Sequence, residues 1–244
     1  MSANTSGNER KELYFFAGKI LSEFKSQKIL DIACGNGAGA CLIASMIPSA
    51  EIFGIDLNAA LVQKAENQFK IPNIHFSLGD ARALNFPQNH FDSIVSFHTI
   101  EHFDKKDQQK FLGELFRILE PKGKLIIATP DRDVWDLQGI AGVQEDHICE
   151  LNQKEFLLIL KNFGFKWRDV YGQGILKEDS GFLLRKFLNL LKKFDILKLR
   201  KKFFQSYIRA IDSKTQPIVV DYEVKKLEPG QKASITVLIC KKEL

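Results

Sequence analysis

Between Glu9 and Phe24, the apolar residues Leu13, Phe16, Ala17, Ile20, Leu21 and Phe24 recur every three or four positions. That spacing puts them on one face and predicts an amphipathic helix. From Lys28 the pattern changes to short apolar runs, which read as buried strands, alternating with stretches of helical period. A strand is expected over Lys28 to Cys34, a helix over Ala38 to Ile47 that stops before Pro48, and a strand over Glu51 to Ile55. Asn58 then caps a helix with Leu61, Ala65 and Phe69 on one face. Strands over Ile74 to Leu78 and Phe91 to Phe97 follow, then a helix over Lys105 to Leu119 and a strand over Lys124 to Thr129. Asn152 with Glu155 three residues on predicts a capping box, and Gly164 a left-handed helix end. A sixth strand is expected over Phe165 to Tyr171 and a seventh over Ala233 to Cys240. Strands alternating with helices imply right-handed βαβ units: an α/β fold with a mostly parallel sheet and helices on both faces.

A chain of 244 residues fits one large α/β domain with an added subdomain. No run approaches the ~20 apolar residues of a membrane span. The N-terminus, MSANTSGNERKE, has no apolar stretch like a secretory signal, so a cytoplasmic protein is expected. Cys34, Cys41, Cys149 and Cys240 are scattered, which excludes a zinc knuckle or a CxxC redox pair. Charge alters the picture more. Phe182 to Arg209 holds nine basic residues against Asp195 alone, so that stretch is +8 in a chain of net +5, and the rest is −3. A mildly acidic body with one basic appendage does not offer the broad positive face of a nucleic-acid binder.

In such sheets, ligands bind beyond the carboxyl ends of the strands. After the first strand comes Asp31-Ile-Ala-Cys-Gly35-Asn-Gly37-Ala-Gly39, after the second Gly54-Ile-Asp56, after the third Gly79-Asp80-Ala81, and after the fourth His98-Thr-Ile-Glu101-His102. The glycines permit a tight turn and a close approach of backbone amides to a ligand. Read with Ala40 they also satisfy the GxGxxG/A dinucleotide pattern, so a nicotinamide oxidoreductase is a competing reading. Two features oppose it: no second domain is large enough for hydride-transfer machinery, and no Lys or Arg lies in the loop to meet a pyrophosphate. Acids at three successive strand ends suit a ligand with ribose, amino and sulfonium groups instead.

With these residues in view, the chain resembles the class I S-adenosylmethionine (SAM)-dependent methyltransferases. The segments that carry the resemblance are LDIACGNGAG, IFGIDLN, LGDARALNFPQNHFDSIVSFHTIEHF and LFRILEPKGKLIIATP. It covers about residues 9 to 171, with the last strand returning at the C-terminus, and it implies a Rossmann-like seven-stranded sheet. A looser resemblance, through ERKELYFFAGKIL, DHICELNQKEFLLILKNFGF and YGQ, is to bacterial methyltransferases of sugars and lipid-linked glycans. The first resemblance implies that Asp31 and the amides near Gly35 and Gly37 hold the methionine part of the cofactor. It also implies that Asp56 takes the ribose hydroxyls, that Leu57 packs on the adenine and that Asp80 accepts the adenine amino group beside the Ala81 amide. Tyr14 comes from the N-terminal helix to close over the cofactor. The Pro121-Lys-Gly123 turn is expected to be structural.

Methyl transfer needs a positioned acceptor and, for an alcohol, a base. His102 is the expected base, with Glu101 or Asp104 to orient it, and His98 and His147 are expected to line the acceptor pocket. His75 and His90 are expected to be bystanders. His98 to His102 also fits an HxxEH zinc pattern, but that motif needs a helix and here follows a strand, so no metal is expected. The domains expected are 1–25, an N-terminal helix and cofactor lid; 26–171, the SAM-binding core; 172–215, a basic helical insertion; and 216–244, the closing strand. In the insertion, Leu183, Phe187, Leu190, Leu191 and Phe194 share one helical face, with Ile196, Leu199, Phe203 and Tyr207 on a second. Those faces fit either a lid packed on the domain or a peripheral contact, over 182–209, with an anionic membrane at its inner face. The function expected is O-methylation of a sugar, glycan or lipid-linked intermediate in cell-surface polysaccharide synthesis. Methylation of a quinone or other small molecule, and cofactor binding without catalysis, are the alternatives.

Overall fold

Five parallel strands form one half of the sheet: β1 (Lys28–Ile32), β2 (Glu51–Asp56), β3 (Ile74–Leu78), β4 (Phe91–Phe97) and β5 (Leu119–Pro130). The other half contains β6 (Phe165–Ile175), β7 (Lys225–Lys226) and β8 (Ala233–Lys242). In the computed structural model, which describes residues 3–138, 146–175 and 223–243, these eight strands make one sheet in the order β3-β2-β1-β4-β5-β8-β6-β7. β8 runs antiparallel to both of its neighbours, β5 and β6. The strand order reverses between β1 and β4, the place where ligands enter open α/β sheets.

The helices are α1 (Ala3–Glu23), α2 (Ala38–Met46), α3 (Ala59–Gln68), α4 (Lys105–Ile118), α5 (Arg132–Gln138) and α6 (Gln153–Asn162). They divide the apolar core in two. On one face, Leu13, Ala17 and Leu21 of α1 pack with Ala40 and Ile43 of α2 over Ile29, Ile52 and Ile126. On the other, Phe111 and Leu115 of α4 and Phe156 and Leu160 of α6 cover Leu30, Ile94 and Leu125. The expected capping box forms: Asn152 accepts from the Glu155 amide at 2.9 Å and Glu155 accepts from the Asn152 amide at 3.1 Å.

Three expectations shift. β1 ends two residues early, because Ala33 turns into the left-handed region at φ 57°. Pro121-Lys-Gly123 is not a free turn ahead of β5 but lies within it, at an irregularity between the Phe91 and Ser93 pairings, with Lys122 at φ 67°. β6 runs four residues past Tyr171, so Gly172 to Ile175 belong to the sheet rather than to the insertion expected over 172–215. A Cβ at Gly172 would meet the Ala233 Cβ at 2.4 Å, so glycine here serves close strand packing, not a turn. The basic segment 182–209 lies outside the described residues. Among the described residues, no helix is long and apolar enough to cross a membrane.

Candidate active site

The loop after β1 is held by backbone geometry that favours glycine. Gly35 and Gly37 sit at φ 57° and 80°, and a Cβ on Gly37 would lie 2.6 Å from the Phe76 ring. Asp56, at the end of β2, accepts the Gly35 amide at 2.8 Å through Oδ2 and the Asn58 amide at 2.8 Å through Oδ1. The 21-residue spacing of Gly35 and Asp56 is therefore a direct contact between loop and strand. Leu57, next in sequence, is 65% exposed, an apolar side chain with its surface open beside the site.

Asp31 lies at the end of β1 and is fully buried. Its Oδ1 accepts the Tyr14 hydroxyl at 3.0 Å, while Oδ2 is buried without a hydrogen-bond partner. Burial pushes its carboxyl up to about 7. Tyr14 meets Phe97 of β4 edge-on at 5.0 Å and fills the space over Gly39, where a Cβ would come within 2.1 Å of its ring. A cavity of about 880 Å³ opens between α1 and the loop, walled by Arg10, Lys11, Tyr14, Gly35, Asn36, Gly39 and Lys64 among others.

Asp80 and Ala81 follow β3, outside the wall of that cavity. Asp80 is bound on both oxygens by Arg82, whose other end reaches Asp107. The Arg82 hydrogen bonds hold the Asp80 carboxyl below the usual range. Sequence reasoning gave Arg82 no role, although an Asp and an Arg two residues apart at a strand end is a signal by which it can be found.

A second cluster follows β4. His98 sits in the left-handed region at φ 52°, and Ile100–His102 form a 3-10 turn. Glu101 on that turn is fully buried; its Oε2 accepts the Thr129 hydroxyl at 3.0 Å and its Oε1 lies 3.4 Å from His98 Nδ1. The Glu101 carbonyl accepts the amides of Ile148 and Cys149, both at 3.0 Å, which pins residues 147–150 onto the turn. His102 and His147 thereby meet edge-on at 5.0 Å. His102 Nδ1 faces the Asp146 carbonyl at 2.9 Å, and His147 Nδ1 faces Glu150 Oε1 at 2.7 Å with the Trp135 ring stacked over it at 5.5 Å. The structure thus gathers His98, Glu101, His102 and His147, whereas Asp104 caps α4 through the Asp107 amide. Thr129 and Glu150 lie within segments that carry the resemblance but receive no role from it, and Trp135 lies outside them. His75 and His90 pack against Phe53 and Phe86 in a separate aromatic group.

Residues 29–123 match the methyltransferase-domain family model. A probable S-adenosylmethionine-dependent methyltransferase of Mycolicibacterium smegmatis is 32% identical over 59% of this chain and 54% of its own length. A phthiotriol/phenolphthiotriol dimycocerosates methyltransferase of Mycobacterium leprae is 32% identical over 42% of this chain and 37% of its own. The chain spans about half or less of the length of these relatives. A putative methyltransferase from Bacillus halodurans of known structure shares the fold, with a TM-score of 0.59 at 17% identity over 89% of this chain and 93% of that one. The residues present fit SAM, the cofactor named for the Mycolicibacterium smegmatis relative. Asp31 Oδ2 is a buried acceptor with no partner, suited to an ammonium or sulfonium, and Gly35 lies in the cavity wall with no side chain to fill the space beside it. Strand order, glycine loop and matched segment agree, and residues 29–123 carry the pattern of the methyltransferase-domain family, as in the SAM-dependent relative the chain is similar to.

Proposed function

We propose that the chain methylates a hydroxyl of a sugar, glycan or lipid-linked acceptor. The observation that carries this reading is the histidine cluster at the carboxyl end of β4. It adjoins the cofactor side of the sheet, since Phe97, which packs on Tyr14, is followed directly by His98. An alcohol is a poor nucleophile until its proton leaves, and a group near neutrality is needed where it leaves. His102 is the proton acceptor we assign: a carbonyl only accepts, so Nδ1 carries its hydrogen and Nε2 keeps a lone pair. His98 and His147 line the acceptor's approach.

SAM supplies an activated methyl group when bound. The chain's own residues do the rest. Asp31 takes the positive amino end, the loop around Gly35 and Gly37 lies along the methionine part, and Asp56 meets the ribose. Leu57 offers its open apolar surface to the adenine, and Asp80 meets the adenine amino group beside the Ala81 amide while Arg82 holds it in place. A relative named as a phthiotriol methyltransferase supports a hydroxyl-bearing acceptor. The segment 182–209, at +8, supports an acceptor at an anionic membrane surface.

The test is transfer of a labelled methyl group from SAM into host extract, separated into glycolipid, quinone, RNA and protein. Label in the glycolipid or glycan fraction is the expected result. Label confined to the quinone fraction would move the function to small aromatic acceptors, and no label anywhere would remove the methyl-transfer reading.

A further inference from the structure

We propose that Glu101, His102 and His147 bind a divalent first-row transition-metal cation that holds the acceptor hydroxyl. Binding of the cation stands by itself; its use rests on the methyl-transfer reading above. One ligand atom from each of the three residues lies within 4.8 Å of the others. Ligand bonds of about 2.1 Å ask these atoms to close by roughly an ångström, and the His102 ring, 32% exposed, has room to turn.

Three independent features point to a cation. Both histidines are oriented from behind, His102 Nδ1 by the Asp146 carbonyl and His147 Nδ1 by the Glu150 carboxylate. Each acceptor fixes the hydrogen on Nδ1 and leaves the Nε2 lone pair for a ligand bond, the arrangement that metal-binding histidines show. Glu101 is wholly buried, and its Oε1 makes no hydrogen bond; the one cationic group within ion-pair reach of it among the described residues is His98, whose Nδ1 at 3.4 Å pairs with it only when that imidazole is protonated. A carboxylate oxygen in that position is costly unless a positive charge meets it. Finally, two imidazoles and one carboxylate suit Mn²⁺, Fe²⁺, Co²⁺ or Zn²⁺ better than Mg²⁺ or Ca²⁺, and three protein ligands leave a position open. This departs from the expectation of no metal. That expectation weighed His98 against His102 on a helix; the chain forms a 3-10 turn instead, and His147, brought in by the two amides on the Glu101 carbonyl, supplies the third ligand.

At the open position the cation takes the acceptor's hydroxyl oxygen and lowers its pKa. The hydroxyl proton leaves to water, the oxygen bonds to the methyl carbon, and the methyl–sulfur bond breaks with its electron pair remaining on sulfur. His102 then acts as a ligand, and takes the proton itself only in the metal-free protein.

The experiment is a Co²⁺ titration of the full chain after chelator treatment, read by visible absorption. One saturable site per chain with bands of mixed nitrogen and oxygen ligation is expected. His102→Ala should abolish those bands, and Glu150→Gln, which removes only the negative charge behind His147, should weaken binding about 10- to 100-fold. His90→Gln should bind as the wild type does. An unchanged melting temperature in the metal-free variants shows that they fold. The site is overturned if wild-type protein shows no saturable Co²⁺ binding, or if His102→Ala and Glu150→Gln bind like wild type. Methyl transfer without Co²⁺ binding would remove the cation and leave the proposed function; Co²⁺ binding at the cluster without methyl transfer would do the reverse.

Discussion

Burial pushes the Asp31 carboxyl up to about 7; the Tyr14 hydroxyl pulls it back, and the nearby Asp56 charge adds to the rise. The folded protein therefore holds this proton more tightly than the unfolded chain, where the group titrates near 4. Below pH ~4 both states are protonated and nothing is gained or lost. Between there and about 7 the unfolded chain ionises first, so folding loses stability as pH rises, and the loss is complete just above 7. Asp31→Asn removes that term. In the cofactor-free protein its melting temperature should gain on the wild type steadily from pH 4 to 8; a constant difference across that range would mean that Asp31 is already ionised in the fold. The acid itself was legible in the sequence because it ends an apolar run ahead of a glycine loop. Its bond to Tyr14 was not legible: the resemblance implied only that Tyr14 closes over the cofactor, and the contact joins residues 17 apart, on a helix and a strand. The bond between Gly35 and Asp56 was not foreseen either, since Asp56 was expected at the ribose, and the contacts of His102 with His147 depend on how one loop lies on another, which no local pattern encodes.

Between the strands, one side chain ties the second cluster together. Gln108 of α4, almost wholly buried, donates through Nε2 to the carbonyls of Ile100, Phe103 and Cys149 at 3.2, 3.2 and 2.8 Å. It holds the 3-10 turn and the 147–150 segment to one helix. Gln108→Leu keeps the volume but leaves those carbonyls without their donor, at a cost of about 1–3 kcal/mol. Thermal or urea unfolding should show that loss, and the 147–150 amides should exchange faster; unchanged exchange there would place the hold elsewhere. Helix and strand positions were legible from periodicity, because burial on one face writes itself into spacing. Their ends were not. β5 and β6 are longer than their apolar runs because Leu119 already pairs with Phe91 ahead of the irregularity at Pro121-Lys-Gly123, and because the ladder to β8 continues through Gly172-Gln-Gly174, both sequences whose composition reads as turn. α5 was missed because it is seven residues long and starts from an Asp131 cap rather than from a periodic pattern.

Charge acts over the whole molecule. Nine cations over Phe182 to Arg209, beside a body of −3, would each contribute about 1 kcal/mol near an anionic surface. The full chain should float with anionic vesicles at low salt and not with neutral ones. High salt, or Glu in place of Lys192, Lys193, Lys201 and Lys202, should release it. Absence of flotation on anionic vesicles at low salt would assign the segment's apolar faces to the protein instead, and favour a freely diffusing acceptor. The sheet order has a consequence of another kind. β8 is the inner strand between β5 and β6, yet a ribosome makes it after both, with more than fifty residues between the end of β6 and its start. Until it emerges, β5 and β6 each present an unpaired edge, the kind of surface on which nascent chains aggregate. The parallel half can collapse around its own two cores early, but the sheet becomes continuous only in a late, long-range step, which slows folding and makes the growing chain a client for anything that shields strand edges.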